Sequence, residues 1–325
     1  MHRRRRFRRW LAAMALVMLP TLGMTDEGVG DVAGNLGAVG SDTLASLMLR
    51  WGERLAEQHP GVRLQLLASG SASAPAALAA GTTRLGPMSR PMRVEERQEF
   101  IDRHGYPPLE IEVARDALVV VVHRHHPLEA LSAEQLDAIF STTRECGAET
   151  PITRWSQLGL TLPADRIVLH GRNVASGTHG LFREVALCGG DYRVRVNEHM
   201  GSAAVVAAVA AEPSSIGYTG MNHLTASVKA LARKDEQGQL HTPSPESVRS
   251  GEYPMARGLY LYVNLPPGQP LPAPERAFIE LTLSPEGQQI VRELGFVPLS
   301  DAQLDEERHA LLERLRDDAD HPGGG

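Results

Sequence analysis

Residues 167–188 read IVLHGRNVASGTHGLFREVALC, and the order of residue types in this stretch decides the fold class. Residues 167–170 form a short apolar run of the kind found in buried strands. From Thr178 onward Phe182, Val185 and Ala186 recur at helical spacing. Ser176 stands where a helix N-cap belongs, followed by Gly177 and Thr178, so free backbone amides and two hydroxyls converge at one helix start. Unpaired amides and the positive end of the helix dipole both favour negative charge there. Arg172, just past the strand, adds a planar fork of donors matched to two oxygens of a phosphate or carboxylate. Taken alone, Ser176 reads equally well as a plain cap and Arg172 as a surface charge, so the decision rests on whether the same grammar recurs.

It does recur. Residues 38–43, AVGSDT, lead into Leu44, Leu47, Met48, Trp51 and Leu55, an apolar face at helical spacing whose start is crowded by Ser41, Asp42 and Thr43. Residues 61–67 alternate as a strand does and run into Ser69-Gly70-Ser71-Ala72-Ser73 and an alanine-rich helix. Residues 86–91, GPMSRP, place Ser89 and Arg90 ahead of a charged helix carrying Phe100 and Ile101. His199-Met200-Gly201-Ser202 introduces an apolar helix over residues 203–211, and residues 215–218 read as a buried strand. Strands alternating with helices imply parallel sheets flanked by helices, which bind ligands at the carboxyl ends of their strands. Four turns carrying Ser, Thr, Gly or Arg at such positions are hard to obtain by chance.

Residues 113–122 are almost continuously aliphatic, the pattern of a strand covered on both faces, and mark a crossing between two domains. Residues 259–264 form a strand that supplies the second crossing. A capping-box pair, Ser132 and Gln135, opens a short helix ending at Phe140. Residues 232–254, polar with glycines and prolines, read as surface loops. After a proline-rich linker, helices are expected over residues 275–283 and after Ser284-Pro285, with a late amphipathic helix over residues 304–315 and a disordered tail over residues 321–325.

Residues 1–24 hold six arginines and then an apolar run too short to span a bilayer, the layout of an export signal with no clear cut point; an uncleaved interfacial anchor is the rival reading. Without those arginines the formal net charge falls from -6 to about -12. The exported chain is therefore acidic, has no basic stripe for nucleic acid, and must hold any anion by local dipoles and hydrogen bonds. Its only two cysteines, Cys146 and Cys188, read as a disulfide in an oxidising compartment, since a metal site needs more ligands. His123, His125 and His126 lack the spacing of a metal motif and fall in an expected exposed turn before Pro127. No G-x-S-x-G elbow accompanies the serine-rich turns, which sets a hydrolase behind a binding protein.

With these residues in hand the chain resembles the solute-binding proteins of phosphate ABC transporters. The matching segments are GSDTL at residues 40–44, GS at 70–71, GPMSR at 86–90, DAL at 116–118, IF at 139–140, GRNVASGT at 171–178 and IGYTG at 216–220, in family order. The resemblance implies an α/β, two-lobed type II periplasmic binding protein fold, each lobe a mainly parallel sheet flanked by helices, joined by two crossover segments. Residues 35–118 plus 259–300 would form lobe I, residues 119–258 lobe II, and residues 301–325 a C-terminal helix and tail. It further implies a periplasmic monomer without cofactor or metal that hands phosphate to a membrane permease. Its ligands would be Ser41, Thr43, Ser71 and Ser89 from one lobe and Arg172, Ser176, Gly177 and Thr178 from the other. Relatives often place an Asp just after the small residues of the third turn, where this chain has Ser89-Arg90. Asp42 is the substitute acceptor for the phosphate proton, or else a helix cap; Arg90 either contacts an oxygen or pairs with a glutamate such as Glu95. Another oxyanion, or a sensing role, would suit the same fold.

Overall fold

The computed structural model describes residues 32–316; the expected export signal over residues 1–24 and the tail over residues 321–325 lie outside them. The chain begins with β1 (Ala33–Val39), α1 (Ala45–Gln58), β2 (Gly61–Leu67), α2 (Ser73–Ala79), β3 (Leu85–Met88) and α3 (Val94–His104). β1 pairs in parallel with both β2 and β3, so the turns after all three strands open at one edge of the sheet. α1 lays Leu47, Met48, Trp51 and Leu55 against the sheet. The Trp51 indole N–H donates to the Gly287 carbonyl at 3.0 Å, satisfying the one polar atom this large side chain buries.

β4 (Leu109–His123) is a single strand of 15 residues, about 50 Å long at strand rise. Over residues 109–117 it pairs antiparallel with β12 (Ala256–Val263); over residues 118–122 it pairs antiparallel with β8 (Ser215–Gly220). The partner changes between Ala117 and Leu118, so one strand serves both halves of the molecule. Its aliphatic run, Val119 to Val122, is fully buried because helices or strands cover both faces there.

The second half is built from β5 (Ala130–Ser132), α4 (Ala133–Phe140), β6 (Val168–Arg172), α5 (Gly177–Ala186), β7 (Asn197–His199) and α6 (Ser202–Ala211). β8 follows, then β9 (Val228–Ala230), β10 (Ala232–Lys234), β11 (Leu240–His241) and α7 (Pro245–Ser250). The chain returns through β12 to α8 (Ala273–Thr282), α9 (Pro285–Glu293) and α10 (Asp301–Arg316). The large sheet has nine strands, ordered β2-β1-β3-β12-β4-β8-β6-β7 with β9 beside β4. Within each half the strands that lead into helices are parallel, while the crossing strands β4 and β12 run antiparallel to each other.

Two apolar cores flank the crossing. One gathers Trp51, Val113, Leu261 and Phe278, and α10 contributes Leu304 and Leu311 to it. The other gathers Val121, Phe140, Trp155, Phe182 and Tyr218. Three capped helix starts match the sequence: Ser132 with Gln135, Ser176, and Ser284 ahead of Pro285. Residues 232–254 depart from the expected loops. They form β10, β11 and α7, with Val248 and Tyr253 buried. These elements are too short for a periodicity to register. Their order comes from β10 pairing with β5 and from a Ser244–Ser247 capping box with Pro245 at the first helical position.

The cysteine expectation holds: Cys146 and Cys188 are bonded, with Cα atoms 5.3 Å apart. His126 departs from its expected exposed turn. It is buried with its ring 4.2 Å from that of Trp155, and burial, helped by the Lys229 and His123 charges, lowers its pKa to about 4. Among the described residues no three His, Cys, Asp or Glu are grouped to hold a metal ion, and no helix is long and apolar enough to cross a membrane.

Candidate functional site in the interlobe cleft

Three turns of the first lobe are laced together by their own backbones. The Gly40 amide donates to Leu67, the Gly70 amide to Gly40 at 2.8 Å, and the Ser41 amide to Pro87 at 2.7 Å. A Cβ on Gly40 would lie 2.1 Å from the Pro87 oxygen, so only glycine lets the first and third turns approach this closely. The Ser41 hydroxyl accepts from the Thr43 amide at 3.1 Å. The Ser71 hydroxyl accepts from the Ser89 amide at 3.0 Å and lies 3.2 Å from the Ser89 hydroxyl.

The second lobe supplies the facing wall. β6 ends at Arg172, and Ser176 caps α5 by accepting from the Thr178 amide at 3.2 Å. Arg172 is held from several sides: Nε donates to the His199 carbonyl at 3.2 Å, one terminal nitrogen to Ser202 Oγ at 3.0 Å, and the other to the Met200 carbonyl at 2.7 Å. The Arg172 amide donates to the Tyr218 hydroxyl at 3.1 Å, and the Tyr218 ring stacks on Phe182 at 4.0 Å. Burial first, then the neighbouring Arg172 charge, depresses the His199 pKa, so that imidazole stays neutral beside the guanidinium.

The walls meet. Thr43 Oγ1 lies 3.3 Å from Thr178 Oγ1, the Ala72 amide donates to Ala175 at 3.2 Å, and Arg172 donates to Asp42 Oδ2 at 2.6 Å. A Cβ placed on Gly177 would fall 2.4 Å from Ser71 Oγ and 2.5 Å from Ser89 Oγ. Ser41, Thr43, Ser71, Ser89, Arg172, Ser176 and Thr178 are all at most 2 % exposed. The residues singled out in the sequence thus line one buried interlobe seam.

Asp42 and Arg90 both take up ion pairs in the fold. Asp42 does not cap α1, which starts after Leu44 without a side-chain cap; its carboxylate reaches across the cleft to Arg172 instead. Arg90 forms a bidentate pair with Glu96, at 2.7 and 2.8 Å, rather than with Glu95. Glu96 sits one position further along α3, where it also accepts from the Arg93 amide at 2.8 Å.

A second ion pair in the seam escaped sequence reasoning. Arg257 donates through Nε and a terminal nitrogen to Asp116 Oδ2, at 3.0 and 2.5 Å, and both side chains are at most 1 % exposed. Its remaining nitrogen donates to Thr178 Oγ1 at 2.9 Å. Asp116 lay inside a recognised segment, DAL, but nothing local to Arg257 distinguishes it from any strand-edge arginine. Asp42 Oδ1 and Asp116 Oδ1 are both buried without a hydrogen-bond partner among the described residues. The seam therefore offers hydroxyls, amides at helix starts, two internally neutralised guanidiniums and spare carboxylate acceptors. That inventory suits a small oxyanion carrying a proton.

A family model described as a PBP superfamily domain matches residues 25–286. The phosphate-binding protein PstS of Pseudomonas aeruginosa is 46% identical over 271 residues, covering 82% of this chain and 84% of that protein. The chain belongs to the PBP superfamily, in the PstS family. A Staphylococcus epidermidis PstS is 26% identical over 255 residues, 76% of this chain and 75% of its own. Among solved structures, a phosphate ABC transporter substrate-binding protein of Clostridium perfringens with bound phosphate superposes with a TM-score of 0.68 at 23% identity, over 82% of this chain and all of that one (100%). A possible phosphate-binding protein from Planctomyces limnophilus gives 0.64 at 24% identity, over 87% and 99%. These neighbours share the two-lobed α/β fold described above, and the PstS relatives are named as binding proteins rather than enzymes.

Proposed function

We propose that the interlobe seam captures inorganic phosphate by hydrogen bonds and that the protein, exported to the periplasm as a monomer, delivers it to the membrane permease of an ABC transporter. The convergence of Thr43 and Thr178, from different lobes, to 3.3 Å beside the Ser71–Ser89 pair carries the reading. Lobe I is residues 35–118 plus 259–300, joined by α10, whose Leu304 and Leu311 pack into its core. Lobe II is residues 119–258.

Ser41, Thr43, Ser71 and Ser89 with Arg172, Ser176, Gly177 and Thr178 form the ligand set. A micromolar dissociation constant needs about 8 kcal/mol, and charge-assisted hydrogen bonds of roughly 1.5–3 kcal/mol each can supply it after desolvation. Asp42 Oδ1, buried and unpaired among the described residues, accepts the proton that phosphate keeps and sulfate lacks at neutral pH. Calorimetric titration of refolded, ligand-free protein with phosphate, sulfate, arsenate and molybdate tests both claims. Phosphate and arsenate should bind and sulfate should not, and Asp42→Asn should narrow that gap by about tenfold or more, the value of a hydrogen bond to a charged group. Tighter binding of sulfate or molybdate than of phosphate would replace the ligand, and an Asp42→Asn protein with unaltered selectivity would remove the proton assignment.

A further inference from the structure

Arg257 and Asp116 stand opposite each other in the register of β12 and β4, the two strands that cross between the lobes. The pair lies at the crossing itself, one residue before β4 changes partner. From there Arg257 touches both lobes: its remaining nitrogen donates to Thr178 Oγ1 at 2.9 Å and sits 3.4 Å from the Ser89 carbonyl. Gly220 passes close by, since a Cβ there would meet Asp116 Oδ2 at 2.9 Å and an Arg257 terminal nitrogen at 3.4 Å. The guanidinium is thus confined by Asp116, by the Gly220 backbone and by the two turns it bridges.

We infer that Arg257 is a positioning residue for the oxyanion, fixing the Thr178 hydroxyl as a hydrogen-bond donor toward the cleft. A threonine hydroxyl has one proton and can donate or accept, whereas a guanidinium only donates. With Arg257 donating, Thr178 Oγ1 accepts on that side, which occupies one lone pair and leaves its single proton pointing away from Arg257, available to an acceptor on the Thr43 side of the seam 3.3 Å distant. An oxyanion oxygen seated there finds a donor that needs no reorientation. Asp116 keeps the arginine in place and cancels its charge, so the contribution is directional rather than a gain in net positive field. Because the anchor stands on the crossing strands, Thr178 meets this donor from the hinge rather than from either wall. The inference rests on the phosphate reading of the cleft.

The test is a double-mutant cycle in phosphate affinity, by calorimetry on the full chain after refolding without ligand, with Arg257→Lys, Thr178→Val and the double variant. Lysine keeps the charge beside Asp116 but lacks the fork that reaches Asp116 and Thr178 together. Arg257→Lys should bind phosphate about ten- to a hundredfold more weakly, the span of one charge-assisted hydrogen bond. The double variant should be no weaker than Thr178→Val within about threefold, because the arginine acts through the hydroxyl that valine removes. A merely structural role would lower the melting temperature without phosphate and give additive losses. Should Arg257→Lys fail to fold, Asp116→Asn/Arg257→Gln, which leaves no unpaired buried charge, takes its place in the cycle with the same expectation. Wild-type-like affinity in these variants, or additive losses, would overturn the inference while leaving phosphate binding intact. Absence of phosphate binding by the wild-type protein would overturn both.

Discussion

Adding one methyl group at Gly177 should hold the lobes apart without harming either of them. Gly177 opens α5 and is not among the residues with positive φ, so alanine suits its own backbone and by helix propensity is favoured by up to about 1 kcal/mol. The obstacle lies in the other lobe: the new Cβ would stand 2.4 Å from Ser71 Oγ, 2.5 Å from Ser89 Oγ and 2.9 Å from Ser71 Cβ. The Ser71 hydroxyl cannot rotate away freely, because it accepts from the Ser89 amide, and its Cβ cannot rotate away at all. Relief therefore requires the Thr43–Thr178 and Asp42–Arg172 contacts to lengthen. Overpacking of this kind costs about 1–3 kcal/mol, which falls on the closed form alone and weakens ligand binding by roughly five- to 150-fold. Phosphate calorimetry paired with thermal unfolding of the ligand-free protein reads the two sides separately. Weaker binding with an unchanged or slightly raised melting temperature is expected. Unchanged affinity would mean that Gly177 does not approach Ser71 when the ligand is held, and the closure argument would be wrong.

Two further predictions concern stability. The Cys146–Cys188 bond closes a separation of 42 residues, so Cys146→Ser/Cys188→Ser should lose about 4 kcal/mol by the loop-entropy relation, read from urea midpoints; a loss under 1 kcal/mol would mean the loop is already ordered in the unfolded chain. His126, with a pKa near 4 in the fold against 6.5 unfolded, takes up its proton more readily in the unfolded chain, so stability should be full above pH 6.5 and decline as pH falls toward 4. His126→Asn, whose amide oxygen can still accept from the Leu128 amide, should flatten part of that decline in pH-dependent melts, and an identical slope would refute the assignment.

The local signals were legible because each rests on a short-range rule. Ser176 caps the helix that follows it, Ser132 and Gln135 close a capping box, and an uninterrupted aliphatic run became the strand buried on both faces. The repetition of small polar turns after strands was enough to choose the seam residues, because strand ends in such sheets all open toward one crevice. Pairings across the chain were not legible. Asp42 could be named as an acceptor, but that its partner is Arg172, 130 residues away, follows only from the lobes meeting. Arg90 chose Glu96 over Glu95 through the geometry of one helical turn. Arg257 gave no sign in its own neighbourhood, since what makes it consequential is that β12 sets it opposite Asp116 at the crossing and within reach of Thr178. Sequence determines which backbone groups are left without local partners; tertiary structure decides which distant side chains answer them, because charges and hydroxyls find one another through space rather than along the chain.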